Sequence, residues 1–457
     1  MVGFMEVVNR AFTGPYLSEK DYNLKVFVPK LRELIKKYEI KYDPENPIPS
    51  DDDLADRVFR AGVELYTSIG TYCVDTSRII KFTEEEIQQA LVTAPSAPVF
   101  GEGKEAKPLV ARKPESDIPP WCFIGAGGAA VSDEQLYISI LEAYGSFLPL
   151  ADSITAPTLK TINGKIVVAG SPLEILACIR STVLAREALR RAGRPGLPIM
   201  NSIATAVSDA GKIAGSQFGL RPSDGWLIGA MAEMKINFER LNEIAYVQSL
   251  GGHVVAETAP LLGGYCGGPE GVAVANVAYH INCILVMRGS AQLTFPIHFL
   301  HGCTTTSDIT WAVSVSSQAI SRNSHFPFFI LSYTASGPMT RMCLYELAEA
   351  VITSVVSGAS IEFGGVTKAT VVDHFTPFEP RLASEVAHGV ISMTRSKGNE
   401  IVKSLLSKYE KDIPHPPQGK KYEECWDTCV KQPIKEYTEL YQQVKEELTE
   451  LGINFRF

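Results

Sequence analysis

The sequence predicts an α/β chain folded as one large (β/α) barrel, and three observations carry that prediction. From about residue 150, short apolar runs alternate with longer amphipathic runs. About seven such strand–helix units follow one another, each roughly 30–40 residues long, which marks a parallel sheet covered by helices. The strands are nearly continuous in apolar residues, as a sheet buried on both faces requires. The missing eighth strand is expected in the WCFIGAGGAA region or near 150. An open doubly wound sheet is the alternative, but Gly125-Ala-Gly-Gly is too short for a dinucleotide-binding fingerprint.

The elements read in order as follows. Residues 17–90 are expected to be helical, with LKVFVPKLRELIKKYEI amphipathic and Ser50-Asp-Asp-Asp opening a helix that stops at Gly70. Thr83-Glu-Glu-Glu caps the next helix, since the hydroxyl accepts an orphan amide and the glutamates suit the positive helix end. Residues 99–120 are rich in Gly, Lys and Pro and predict an extended crossing. SITAPTL is a strand, followed by a hairpin turn at Asn163-Gly164 and a helix with Pro172 in its first turn and Gly193 at its end. The strands LPIMNSIATAV, GWLIGAMAEMKI, GHVVAETAP, AQLTFPIHFL, FPFFILSYTA and ASIEFGGV each precede a helical run, and the tail from 420 is again amphipathic helix. The expected division is a helical extension over 1–120, the barrel over 121–405, and helices packing on it over 406–457.

Composition narrows the function classes. The 457 residues are 45% hydrophobic with a net charge of −8, so no broad attraction for nucleic acid or anionic lipid is expected. No apolar stretch reaches the length of a membrane span, and the opening MVGFMEVVNR does not read as a signal peptide. Nine cysteines at irregular spacing predict reduced thiols in a cytoplasmic protein rather than a disulfide framework. Cys425 and Cys429 lack a second cysteine pair, so no metal is expected there.

In a barrel the loops after the strands form the reaction site, so polar residues at strand ends are the candidates. Glu257 ends GHVVA, where a carboxylate is costly unless it binds something, and it could act as acid, base or partner of a cationic substrate. Asn201 ends LPIM, where an Asx turn is the simpler reading, and Tyr333 ends FFILSY with one directed hydroxyl. His298 and His301 are further acid–base candidates, with Glu362 and His374 weaker ones around the seventh unit. The run Gly263-Gly264-Tyr265-Cys266-Gly267-Gly268 allows tight turns or close approach of a bulky planar cofactor. There is no GxSxG elbow, Walker loop or HExxH, so the pattern alone names no reaction.

Several segments in matching order resemble the monomethylamine methyltransferases of methanogenic archaea. They are AGRPG at 192–196, AEMKI at 232–236, AETAPLLGGYCGG at 256–268 and ASGPMTRMC at 335–343, together with GTYCVDTSRIIKFTEEEI and YEKDIPHPPQGKKYEECWD. The resemblance implies a TIM barrel, a homo-oligomer of hexameric type, and methyl transfer to Co(I) of a separate corrinoid protein docked over the barrel mouth. The cobalamin then belongs to that partner, and no cofactor stays bound to this chain.

The resemblance also implies a departure. Where the family carries pyrrolysine, this chain has Asn201 or, with a one-residue shift, Met200. A family acidic residue is replaced by Leu227 and a glutamine by Leu331, while Glu257 and Tyr333 are kept. Neither Asn nor Met can form an imine-type adduct. The expected activity is therefore pyrrolysine-independent methyl transfer from a quaternary or otherwise activated amine. Glu257 would face the cation, Asn201 and Tyr333 would orient the donor, and Met200, Leu227, Leu331 and His298 would line the pocket. Three alternatives stay open: a methylthiol or O-methyl donor, a barrel repurposed as a lyase or hydrolase through Glu257 and His298, and a non-catalytic corrinoid-protein-binding role.

Overall fold

The computed structural model describes residues 2–125, 129–203, 205–366 and 371–455. Eight parallel strands form one sheet: β1 (Cys122–Gly125), β2 (Ser153–Thr155), β3 (Met200–Asn201), β4 (Gly225–Gly229), β5 (His253–Thr258), β6 (Ala291–Thr294), β7 (Phe328–Thr334) and β8 (Ser360–Val366). Each strand pairs with the next, β8 pairs with β1, and a parallel bridge between Ile154 and Ile199 brings β2 against β3 to close the ring. The eighth strand is β1, in the WCFIG segment.

A helix follows every strand: α1 (Glu134–Phe147), α2 (Pro172–Arg191), α3 (Asp209–Gly219), α4 (Phe238–Ser249), α5 (Pro269–Leu285), α6 (Ser307–Asn323), α7 (Arg341–Val356) and α8 (Phe378–Gly389). Their starts follow from the sequence. Asp133, Ser208, Asn237 and Thr340 accept first-turn amides, and proline opens α2 and α5, where its missing N–H costs nothing. The hairpin at Asn163-Gly164 forms as two short antiparallel strands, with both turn residues at positive φ.

The period of two along the strands sorts the core into two layers. Ile228, Val254, Ala256, Ile330, Ile361 and Phe363 face the helices. Phe123, Met200, Leu227, Val255, Leu293, Phe329 and Leu331 fill the barrel interior. Phe100 and Leu109 of the extended crossing and Trp121 just before β1 join this interior cluster, and Phe100 packs on His253 at the start of β5 with ring centroids 4.5 Å apart. The crossing therefore plugs the amino-terminal end of the barrel and leaves the opposite end for function. Arg112 fastens it by donating to the carbonyls of Ile118, Val355 and Ala359.

The N-terminal region is less uniformly helical than its pattern predicts. Helices Phe4–Thr13, Val28–Lys37, Asp52–Ile69 and Glu84–Thr93 form, but Thr71–Cys73 and Arg78–Ile80 pair as an antiparallel ribbon. Thr71–Cys73 also pairs in parallel with Lys235–Ile236, the AEMKI segment after β4. Tertiary pairing thus takes TYC and RII out of the helical run, as their β-branched and aromatic residues permit. Helix Asp52–Ile69 lies so close on α5 that a methyl group at Gly62 would fall 2.4 Å from Val277.

The Glu84–Thr93 helix starts with a reciprocal capping box, Thr83 accepting from the Glu86 amide and Glu86 from the Thr83 amide. Thr83→Ala is expected to cost about 1 kcal/mol of stability, read from the urea midpoint. At the other end of the chain, Lys435–Glu450 docks through Tyr441 and Lys445, which donate to Glu385 on α8 at 2.9 and 2.7 Å.

A buried acid ties the outer helices together. Glu349 on α7 accepts from Thr310, Thr353 and Tyr409, and burial pushes its carboxyl up to about 8 against the opposing effect of those hydroxyls. A raised folded-state value means the folded chain holds a proton that the unfolded chain has lost. The associated stability is full below the unfolded value of 4.5 and is lost as pH rises towards about 8. Glu349→Gln should flatten the fall of the urea midpoint across that window.

Candidate active site

The open end of the barrel is lined by inward side chains at the last turns of the strands. Glu257 on β5 lies two residues beyond the interior Val255 and is in register with Gly229 on β4 and Leu293 on β6. Gly229 has no side chain, and the nearest atom to a methyl group placed there would be Oε2 of Glu257, at 3.8 Å. The carboxylate therefore borders open space. Among the described residues it forms no hydrogen bond and no ion pair. Burial raises its pKa, with partial relief from Lys212 on α3.

Tyr333 on β7 lies two residues beyond the interior Leu331 and meets Phe295 edge-on, with ring centroids 5.6 Å apart. Its backbone is pinned by Thr304, whose Oγ1 accepts from the Tyr333 amide at 2.9 Å. Burial and the neighbouring Glu257 and Glu362 push its phenol well above the ordinary range, so it is a neutral donor. Leu227 and Leu331 are buried in the same interior wall.

The two neighbours in β3 separate. Met200 points into the interior cluster, whereas the Oδ1 of the buried Asn201 accepts from the Ile203 amide at 3.0 Å. Asn201 closes an Asx turn at the strand end.

His298 sits in a short strand, Ile297–His298, paired in parallel with Leu261–Leu262 above the mouth. Its Nδ1 accepts from the amides of Leu300 and His301 at 3.2 and 3.3 Å, and burial lowers its pKa. The ring is thus a neutral anchor of its own turn. The His301 ring lies against it, tilted by 42° with ring centroids 4.5 Å apart.

The glycine run beside it forms a tight turn. Gly263 and Gly267 have φ of +85° and +73°, a left-handed conformation in which a side chain is strained, and the Gly263 amide donates to the Gly267 carbonyl at 2.9 Å. Gly264 folds back on the Leu261 carbonyl at 3.2 Å, and Tyr265 stands exposed. His374 donates from Nδ1 to the Val372 carbonyl at 3.0 Å. Cys425 is buried and Cys429 exposed. No group of three or more His, Cys, Asp or Glu placed to hold a metal occurs among the described residues, and no helix there is long and apolar enough to cross a membrane.

Glu362 proves more central than its sequence position suggests. It is 2% exposed and in register with the interior residues Leu331 and Phe123, so its side chain joins the mouth. Its Oε2 has no hydrogen-bond partner among the described residues. Burial first, and the charge of Glu257 second, hold it well above the carboxylate range. The mouth therefore holds two carboxyl groups, both raised by burial, and one neutral phenol. The signal in the sequence was the alternation Ile361-Glu362-Phe363, which puts the acid on the opposite face from two helix-facing apolar residues.

Around this polar centre the rim is apolar. Phe299 and Leu300 are 69% and 78% exposed, and Val207 after β3 is 70% exposed. With Tyr265 they are exposed apolar residues on three of the loops at the carboxyl ends of the strands.

The same architecture occurs in known proteins. The family described as monomethylamine methyltransferase MtmB matches residues 2–453. Monomethylamine methyltransferase MtmB3 of Methanosarcina barkeri (strain Fusaro) is 32% identical over 456 residues, covering 98% of this chain and 97% of the relative. MtmB2 of Methanosarcina acetivorans is 31% identical with the same coverage. The crystal structure of the Methanosarcina barkeri monomethylamine methyltransferase superposes with a TM-score of 0.95 at 30% identity, covering 99% of both chains, as does the structure of its hydroxylamine complex. The chain belongs to the monomethylamine methyltransferase MtmB family.

Proposed function

We propose that this chain transfers a methyl group from a quaternary, or otherwise pre-activated, methylated amine to the Co(I) of a partner corrinoid protein, and does so without pyrrolysine. The observation that carries the reading is the Glu257 carboxylate, without a partner among the described residues at the barrel mouth beside the apolar Leu227 and Leu331. An isolated anion in such surroundings is expensive, and a cation repays the cost.

The leaving group decides the donor class. When the C–N bond of a quaternary ammonium breaks, the electron pair stays on nitrogen and a neutral tertiary amine departs. No covalent helper is needed. Monomethylamine would leave as an amide anion unless it were activated first. By the resemblance, Met200 or Asn201 stands where the family has its electrophilic residue. Met200 faces the interior while Asn201 is occupied in its turn, which favours Met200 for that place. Neither side chain offers a carbon to which an amine adds.

The corrinoid supplies the nucleophile and stays with its own protein. The apolar rim of Val207, Tyr265, Phe299 and Leu300 suits a docked partner that excludes water from the mouth. Tyr333 donates within the pocket, and Leu227, Leu331 and Phe295 hold the methyl groups in line with the opening. We assign homo-oligomerisation to the chain by the same family reading.

The test is product analysis. Purified protein is mixed with reduced corrinoid protein and a panel of mono-, di-, tri- and tetramethylated amines, and cobalt methylation is followed by absorbance with the released amine identified by mass spectrometry. Trimethylamine released from tetramethylammonium supports the reading. Efficient turnover of monomethylamine with none of the quaternary donors contradicts it.

A further inference from the structure

The mouth contains polar groups that Glu257 and a methylated cation leave unused. Among the described residues Glu362 Oε2 is buried without a partner, and so is Thr155 Oγ1, fully buried at the end of β2. Strand register places both on the same side of the barrel. Glu362 is level with Phe123 on β1 and Phe123 with Ser153 on β2, and one layer nearer the opening Gly125 is level with Thr155. Gly125 contributes no side chain, and a methyl group there would fall 2.4 Å from Thr155 Cγ2, so the threonine methyl packs directly against β1. The lower hydroxyl of this wall is different, because Ser153 is satisfied by the Trp121 indole at 2.9 Å.

A buried hydroxyl or carboxyl without a partner costs roughly 1–3 kcal/mol, so two on one wall mark a place where a ligand atom belongs. Glu257 lies on β5, across the ring from β8, β1 and β2. The geometry points to a second substrate subsite, formed by Glu362 and Thr155 opposite Glu257, that takes an oxygen acceptor carried by the methyl donor a few bonds from its cationic nitrogen. This rests on the reading of the site as one for quaternary amines and narrows it: the donor is a trimethylammonium compound bearing a carboxylate or hydroxyl rather than a bare tetraalkylammonium. Glu362 can fill this role in its protonated form. Burial and the Glu257 charge hold the proton on it, leaving an O–H to donate beside that of Thr155. An ionised Glu362 would repel a carboxylate and accept nothing from it.

Calorimetric binding to the full-length protein without corrinoid, using tetramethylammonium, 2-hydroxyethyltrimethylammonium and trimethylammonioacetate, tests this. One oxygen-bearing ligand should bind at least about tenfold more tightly than tetramethylammonium, the worth of one well-placed hydrogen bond from a buried donor. The two oxygen-bearing ligands distinguish a hydroxyl from a carboxylate. In Glu362→Ala and in the near-isosteric Thr155→Val, that ratio should fall towards one, while Glu362→Gln, which keeps a donor, should retain part of it. Equal affinities in the unaltered protein, or a preference that survives both Glu362→Ala and Thr155→Val, would overturn the subsite. If tetramethylammonium binds and donates its methyl group but oxygen adds nothing, only the subsite falls. If none of the three binds and monomethylamine is the donor, the quaternary-amine reading falls with it.

Discussion

Glu257→Gln is expected to lower kcat/KM for a quaternary donor by about 100-fold, mostly through KM. The side chain keeps its size, so packing against Gly229 and Leu293 is unchanged and only the charge is lost. Removing one partner of a desolvated charge pair costs roughly 3 kcal/mol, and each 1.4 kcal/mol is tenfold. The effect falls on KM because the nitrogen is most positive in the bound substrate and loses its charge as the methyl group departs. An interaction of that kind strengthens binding more than it lowers the barrier. A large fall in kcat at unchanged KM would instead give Glu257 a role in the transition state. The carboxyl is raised by burial, so cation uptake should weaken as pH falls towards its raised range. The Gln variant should lack that dependence.

Glu346→Leu is expected to cost about 4 kcal/mol of stability, the largest effect of any single substitution considered away from the mouth. Glu346 on α7 accepts from the amides of Ala335 and Ser336 at 2.6 and 3.0 Å, from the Ser336 hydroxyl, and from Thr305 Oγ1 at 2.6 Å. It thereby fastens the loop leaving β7 to the segment entering α6. Replacement by an apolar residue strands two amides and two hydroxyls in a dry interior, each at about 1–3 kcal/mol before relaxation. Glu346→Gln keeps an acceptor and should cost clearly less. A urea titration of the three proteins reads the difference, and equal midpoints for Leu and Gln would contradict it. Because Tyr333 is held by Thr304, next to Thr305, the Leu variant should also raise KM.

The barrel was legible because its signal is long and repeated. Six of the strands stand out as apolar runs before clear helices, and Pro172, Gly193 and the Thr83 box mark their helix ends where the structure has them. β1 was harder because only four residues, Cys122–Gly125, pair, and they run into a glycine-rich stretch whose Ala126, Gly127 and Gly128 lie outside the described residues. The ribbon at 71–80 was missed because its partner, Lys235–Ile236, lies far away in sequence, and local periodicity does not report such pairing.

At the candidate site, the strand ends point to Glu257 and Tyr333, and both side chains lie at the barrel mouth. Direction was what the sequence concealed. Met200 and Asn201 are adjacent, and only the interior packing of one and the Asx turn of the other separate them. His298 has the residue type of an acid–base group, yet its Nδ1 is engaged by two amides of its own loop. Glu362 is a weaker candidate in the sequence and Thr155 is not one, because what sets them apart is the lack of partners among the described residues, which a linear sequence does not display.

The central claim is that the pocket works on a cation that leaves as a neutral amine, with no covalent help. The most direct measurement is a single-turnover comparison, in which the protein, saturated in turn with tetramethylammonium and with methylammonium, is mixed with excess Co(I) corrinoid protein and the loss of Co(I) absorbance is timed. Loss should be rapid with the quaternary donor, and the rate with methylammonium should not be resolved from the donor-free control. Equal rates, or a faster reaction with methylammonium, would contradict it.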